Sequence, residues 1–196
     1  IGGTISSTNV PLLVPPGAPT TTTGTTNSTL SVVTGGAITG LTVQVNLTHT
    51  YMGDIDVFLI HPDGTQVQLF DQHGGSGDNL NNTIFSDAAA TPVSSGTAPF
   101  AGTFRPTQPL GTLNGKPANG VWTLRVVDNL SGDHGMLNAW SITYGSVEPN
   151  VLTDASGAYA FNALAAGNYD VRLVAPTAPF IFSEPASGLH AIAAGA

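Results

Sequence analysis

Two blocks of strand pattern, residues 43–69 and 120–144, constrain this chain more than any other feature of its sequence. In each, alternating apolar and polar residues run into an Asp- and Gly-rich turn and then into a second alternating stretch, the pattern of a β-hairpin. Shorter alternating segments occupy 30–33, 41–48, 55–60, 67–70, 122–127 and 140–144, and no segment carries a convincing helical period. Strands this short and this closely spaced predict an all-β fold, an antiparallel jelly-roll β-sandwich. The region 71–118 holds apolar anchors at Leu80, Ile84, Phe85, Phe100, Phe104, Leu110 and Leu113, too many for a structureless loop. Residues 80–85 and 102–104 are therefore expected to pair with the sheets.

Composition agrees with this reading and narrows the partners. Gly and Pro contribute 24 and 14 of the 196 residues, which favours turns over surface helices. With 12 acidic residues against 4 Lys and Arg, the chain carries a formal charge of −8 and no basic stripe, which argues against nucleic acid as a partner. No apolar run reaches the length of a membrane span. There is no Cys, so disulfides and thiol chemistry are excluded, and an exported bacterial protein is the expected source class. The chain begins at Ile1 with neither Met nor a charged-then-apolar leader, as expected of a piece of a larger precursor.

The blocks also contain a series of short motifs. In order these are His49-Thr50-Tyr51-x-Gly53-Asp54-Ile55, Pro62-Asp63-Gly64-Thr65, Phe85-x-Asp87-Ala88 and Gly102-Thr103-Phe104-x-Pro106. Then follow Gly120-x-Trp122-Thr123-Leu124 with Asp128, and Gly132-Asp133-x-Gly135-x-Leu137-x-x-Trp140-Ser141. Together they resemble the P domain of subtilisin-like proprotein convertases and of many secreted bacterial proteins, a β-sandwich that typically accompanies a subtilisin-like protease domain. That resemblance implies a noncatalytic module that packs against and stabilises a neighbouring domain, or an attachment module of a surface protein.

After Tyr144, Thr153-Asp154-x-x-Gly157-x-Tyr159-x-Phe161-x-x-Leu164-x-x-Gly167-x-Tyr169-x-Val171 resembles the second half of a prealbumin-like repeat. Three segments are thus expected: a Thr- and Pro-rich amino-terminal arm over 1–29 with one edge strand near Val10 to Val14, a P-domain-like sandwich over 30–146, and a partial prealbumin-like module or hairpin appendage over 147–196.

Ten of the acidic residues are Asp, mostly in turns. Asp54, Asp87, Asp128 and Asp133 sit at strand ends within the family motifs, and Asp128 follows Trp122, Leu124 and Val126 on an inward face where a carboxylate needs a partner. Arg105, Lys116, Arg125 and Arg172 are too few to neutralise them. Ca²⁺, which accepts carboxylate and carbonyl oxygens in flexible geometry, is the expected counter-charge. The alternative is that these Asp residues cap turns by accepting backbone N–H groups. The segment Asp78-Asn79-x-Asn81-Asn82 is rich in oxygen donors but lacks the spacing of an EF-hand.

His49 is expected to pack and hydrogen-bond within its motif, and His61, His73, His134 and His190 to be solvated turn residues. No HExxH and no Gly-x-Ser-x-Gly element supports an independent hydrolase. Trp122 and Trp140 alternate with Leu124 and Ile142, a core pattern. Were they exposed instead, they would offer a stacking platform for carbohydrate, the basis of a second reading as a carbohydrate- or matrix-protein-binding module. Ile55, Val57 and Leu59 should enter the core, leaving Phe58 and Ile60 on the opposite face.

Overall fold

Alternation in the sequence becomes alternation of burial. The structure, a computed structural model, describes residues 2–17, 22–33 and 35–147, together with Leu152, Asp154, Ser156, Ala158 and Ala160. The strands are β1 (Gly2–Ser6), β2 (Leu12–Val14), β3 (Gly24–Val32), β4 (Ala37–His49) and β5 (Ile55–Ile60). They continue as β6 (Gln66–Asp71), β7 (Leu80–Ser86), β8 (Thr103–Phe104), β9 (Gly120–Asp128) and β10 (Gly135–Val147). Along β9 each residue from Trp122 to Asp128 in steps of two is buried, and β3 does the same from Thr26 to Val32. The only helical elements among the described residues are three short 3₁₀ turns.

The strands form two layers. One sheet has the order β1-β10-β4-β7-β8, with β2 also pairing to β10, and the other has the order β3-β9-β5-β6. Neighbours are antiparallel except β7 and β8, which run parallel. Val43, Val45, Leu47, Leu137 and Ile142 from the first sheet and Ile55, Val57, Leu59, Leu124 and Val126 from the second are all inaccessible to solvent. Each such aliphatic side chain contributes roughly 1.5–3 kcal/mol on burial, so this two-sided core supplies the main stabilisation of a β-sandwich without disulfides.

Both turns taken for hairpins connect different sheets. The turn after His49 carries the chain from β4 to β5, and the turn at 129–134 carries it from β9 to β10, each a crossing between layers. Only the Pro62-Asp63-Gly64 turn closes a true hairpin within its block, between β5 and β6. The local signature is the same in both cases, because a strand that buries one face reads alike whether its successor lies beside it or across the core.

The segment read as an arm contributes strands. β1 and β2 line up on β10, opposite residues 141–145 and 135–137 respectively, and β3 pairs along its whole length with β9. Its Thr and Ser content suits this place: Thr25, Asn27 and Thr29 face outward, while Ser28 is buried and accepts the indole N–H of Trp140 at 2.7 Å. Residues 80–86 and 103–104 join the first sheet as β7 and β8.

The chain divides into two compact units, Ile1–Pro149 and Asn150–Ala196. In the second, Asp154 Oδ1 accepts the backbone N–H groups of Ser156 and Ala158, and Asp154 N donates to Ala158 O at 2.8 Å. Most of the prealbumin-like pattern, including Tyr159, Phe161, Gly167 and Tyr169, lies outside the described residues.

Candidate functional site

One end of the sandwich gathers three of the four acids singled out by sequence. β4 ends at His49, β9 ends at Asp128, and the 3₁₀ turn Met52–Asp54 leads into β5, so all three termini converge there. The turn 129–134 adds Asp133. The backbone of the 49–54 loop is held from above: Met52 N donates to Gly77 O and Gly53 N to Gly75 O, each at 2.9 Å. Gly53 suits this close approach, since a Cβ there would stand 3.1 Å from the Gly75 Cα and the loop would have to give by a few tenths of an ångström.

The centre of the site is a His–Asp contact between the sheets. His49 Nε2 lies 3.3 Å from Asp128 Oδ2, and both side chains are fully buried. His49 Nδ1 lies 3.0 Å from Tyr51 O and 3.2 Å from Tyr51 N, which leaves Nε2 facing Asp128. The other Asp128 oxygen accepts Leu130 N at 3.3 Å. His49 is itself anchored by Asn79, whose Oδ1 accepts His49 N and whose N donates to His49 O. Asn79 adopts φ +71°, a left-handed conformation that Asn tolerates better than most residues.

Asp54 is 4% exposed, and its carboxylate receives no hydrogen bond from any described residue. Its backbone is engaged instead: the oxygen accepts Asn129 N and Nδ2 at 2.9 Å each, and the N–H donates to Tyr51 O at 3.3 Å. Burial pushes the Asp54 carboxyl above its ordinary value, Asp133 adds to the rise, and His49 opposes it. Burial also raises Asp128, with Asp54 contributing, against the lowering effects of His49 and the Leu130 N–H. Asp133 is half-buried and accepts Thr50 Oγ1 at 2.8 Å. The donors are hard oxygens suited to Ca²⁺, yet among the described residues no three acidic or His side chains are gathered at coordinating distance. The fit is thus one of donor chemistry and unrelieved charge.

Asp87 stands apart. Its two oxygens accept Leu110 N at 2.9 Å and Gly111 N at 2.7 Å, capping the 3₁₀ turn Leu110–Leu113. The neighbouring Ser86 pairs with Thr42, seven residues before His49 along β4, so Asp87 lies on the order of 23 Å from the His49 end at ~3.3 Å per residue. The turn-capping explanation therefore accounts for Asp87.

The remaining sequence candidates sort by burial. Trp122 and Trp140 are 0% and 2% exposed, so neither forms a stacking platform. His61 is not a solvated turn residue: it is buried, stacks edge-on against Trp122 at 4.8 Å, and contacts Pro117 O through Nε2 at 2.9 Å. Its place beside an Asp-Gly turn disguised it in the sequence. Beside it, Lys116 holds the exposed Asp63 carboxyl well below the usual carboxylate range.

Three comparisons bear on identity. Leupeptin-inactivating enzyme 1 of Streptomyces exfoliatus is 38% identical over 116 residues, which is 59% of this chain and 21% of that protein. The transglutaminase-activating metalloprotease of Streptomyces mobaraensis is 29% identical over 56% of this chain and 11% of its own length. A calcium-dependent protease of Nostoc sp. is 30% identical over 62% of this chain and 16% of its own length. The chain thus spans about a fifth or less of these relatives. Among solved structures, the Aeromonas sobria serine protease in complex with its chaperone aligns with 74% of this chain and 26% of its own, at 17% identity and a TM-score of 0.42. The proprotein convertase P-domain model matches residues 38–144, more than half of the sequence and every element of the site above, and the chain belongs to that family.

Proposed function

We propose that this chain is a noncatalytic accessory module of an exported bacterial protease precursor, packing against and stabilising a neighbouring domain. The observation that carries this reading is the family match over 38–144, together with relatives that are proteases of which this region is a small part. Secretion or display at the cell surface follows from the same reading, and no helix among the described residues is long and apolar enough to cross a membrane. A carbohydrate- or matrix-protein-binding role would need an exposed platform, and the buried Trp pair does not provide one.

Within the module, we assign the His49–Asp128 end as a Ca²⁺ site held by Asp54, Asp128 and Asp133, leaving Asp87 as a turn cap. Asp54 supports this assignment, since its carboxylate lies beside Asp133 and accepts no hydrogen bond from a described residue, and a calcium-dependent protease among the relatives is in keeping with it. Bound there, the ion would neutralise carboxylates that burial and mutual repulsion disfavour. Residues 147–196 are read as a second, prealbumin-like module, a reading supported by the division at Pro149 and the Asp154-centred turn.

The test is made on the full precursor, with and without residues 1–149. Removal should lower the melting midpoint of the neighbouring domain, and a chelator should lower the midpoint of the module itself. Identical melting of the neighbour in both forms would end the accessory reading.

A further inference from the structure

The outer face of the four-stranded sheet carries an arrangement that the site above does not use. β5 points Phe58 and Ile60 outward, and β9 points Val121, Thr123, Arg125 and Val127 outward. Phe58 lies directly opposite Arg125, and Ile60 opposite Thr123. Val121 is 55% exposed, and Phe58 and Ile60 are half-buried. The guanidinium of Arg125 stacks over the Phe58 ring, with Cζ 4.7 Å from the centroid, and Nη2 donates to Gln66 Oε1 at 2.6 Å. Its Nε is buried with no hydrogen-bond partner, and no carboxylate pairs with it among the described residues.

That lack of a carboxylate is unexpected in a chain of net charge −8. Asp56 lies on the same face but is occupied elsewhere: it accepts amide N–H groups from Gln68, Gln72 and Asn129 at 3.2, 3.3 and 2.9 Å. Arg125 is therefore oriented by an aromatic ring and an amide while its charge is left unmatched. Aromatic and aliphatic side chains around a stacked Arg are the composition of an interface hot spot, whereas a merely solvated sheet face favours dispersed polar residues. The opposite sheet shows the latter: its outer face presents Asn46, Asn82 and Asn138 amides joined by hydrogen bonds, and further along the strands the bonded hydroxyls of Thr143 and Thr4.

We propose that the outer face of the four-stranded sheet, centred on Phe58, Ile60, Val121 and Arg125, is the surface on which a neighbouring domain of the same precursor docks, setting a carboxylate against Arg125. The proposal rests on the accessory-module reading and adds to it the face and the complementary charge. An incoming carboxylate supplies the acceptor that the chain itself withholds, and the apolar flanks exclude water from that pair.

The experiment uses the full precursor with a photoreactive residue placed on one face or the other, Val121→p-benzoylphenylalanine or Thr143→p-benzoylphenylalanine. Both positions are exposed, so the strands are retained, and circular dichroism verifies this. Irradiation should give an intramolecular adduct from position 121, mapped by mass spectrometry to a neighbouring-domain peptide carrying Asp or Glu. Adding Arg125→Glu, or the milder Arg125→Gln, should lower its yield to that of position 143. Adducts from 143 alone would overturn the face while leaving the accessory reading in place. Intramolecular adducts from neither position would remove both. Adducts joining two copies would overturn the proposed occupant, and a yield at 121 indifferent to Arg125 would overturn the carboxylate.

Discussion

His49 and Asp128, 79 residues apart in sequence, meet at 3.3 Å in the interior and join the end of β4 in one sheet to the end of β9 in the other. Asp128 is a buried acid whose partner is an imidazole, and removing either side has a different cost. His49→Ala leaves the carboxylate buried and unpaired, a change worth about 3 kcal/mol or more. Asp128→Asn keeps a hydrogen-bonding partner for His49 Nε2 and removes the buried charge, so its cost should stay below about 1.5 kcal/mol. Urea denaturation of the two variants decides the matter, and the reverse order would contradict the pairing described here.

The raised carboxyls of Asp54 and Asp128 give the metal-free chain a definite pH response. An acid whose folded-state value is raised binds its proton more tightly when folded, so between its ordinary and its raised value stability falls as pH rises. In chelator, the contribution of these two groups should therefore be least favourable at neutral pH and improve as pH drops through their folded-state range. Asp54→Asn should flatten that part of the profile. A wild-type and Asp54→Asn difference that does not vary with pH would refute it.

Ca²⁺ should act on the same charges in the opposite direction. If the folded chain binds the ion and the unfolded chain does not, a hundredfold excess over the dissociation constant adds about 2.7 kcal/mol. Asp54→Ala and Asp128→Ala should blunt the calcium response measured by calorimetry. Asp87→Ala should cost about 1 kcal/mol through its lost cap and leave the calcium response intact. Equal melting curves in chelator and in millimolar calcium, on metal-free protein, would remove Ca²⁺ from the account.

Ser28 links the amino-terminal segment to the core. It accepts Trp140 Nε1–H at 2.7 Å and contacts Asn9 Oδ1 at 2.5 Å, while Ser7 Oγ donates to Thr29 O. Ser28→Ala strands a buried indole donor and should cost about 1–3 kcal/mol. Near-neutral behaviour in denaturant would show that the indole finds water instead.

The isolated chain should hydrolyse no peptide, ester or glycoside. Ser, His and Asp are plentiful, but His49 is buried against Asp128 and His61 against Trp122, and among the described residues no Ser hydroxyl bonds to either imidazole. Turnover abolished by mutating one of this chain's own His or Ser residues would disprove it.

What the sequence determined by itself is local. Period-two burial made the inward faces of β5 and β9 legible down to Ile55, Val57, Leu59, Trp122, Leu124 and Val126, because side-chain direction in a strand depends only on position parity. The ordered motifs, each a turn or strand end with its own backbone requirement, made the family legible as well. What only the tertiary structure decided is which strand each element faces. The turns after His49 and Asp128 read as hairpins yet cross between layers, and the Thr-rich start, legible as an arm with one edge strand where β2 lies, supplies β1 and β3 as well. Sequence likewise brought Asp87 together with Asp54, Asp128 and Asp133, whereas β4 keeps it at the far end. The physical reason is common to all three: strand pairing and the meeting of His49 with Asp128 are set by closure of the chain over tens of residues, and nothing in the spacing of neighbours carries that information.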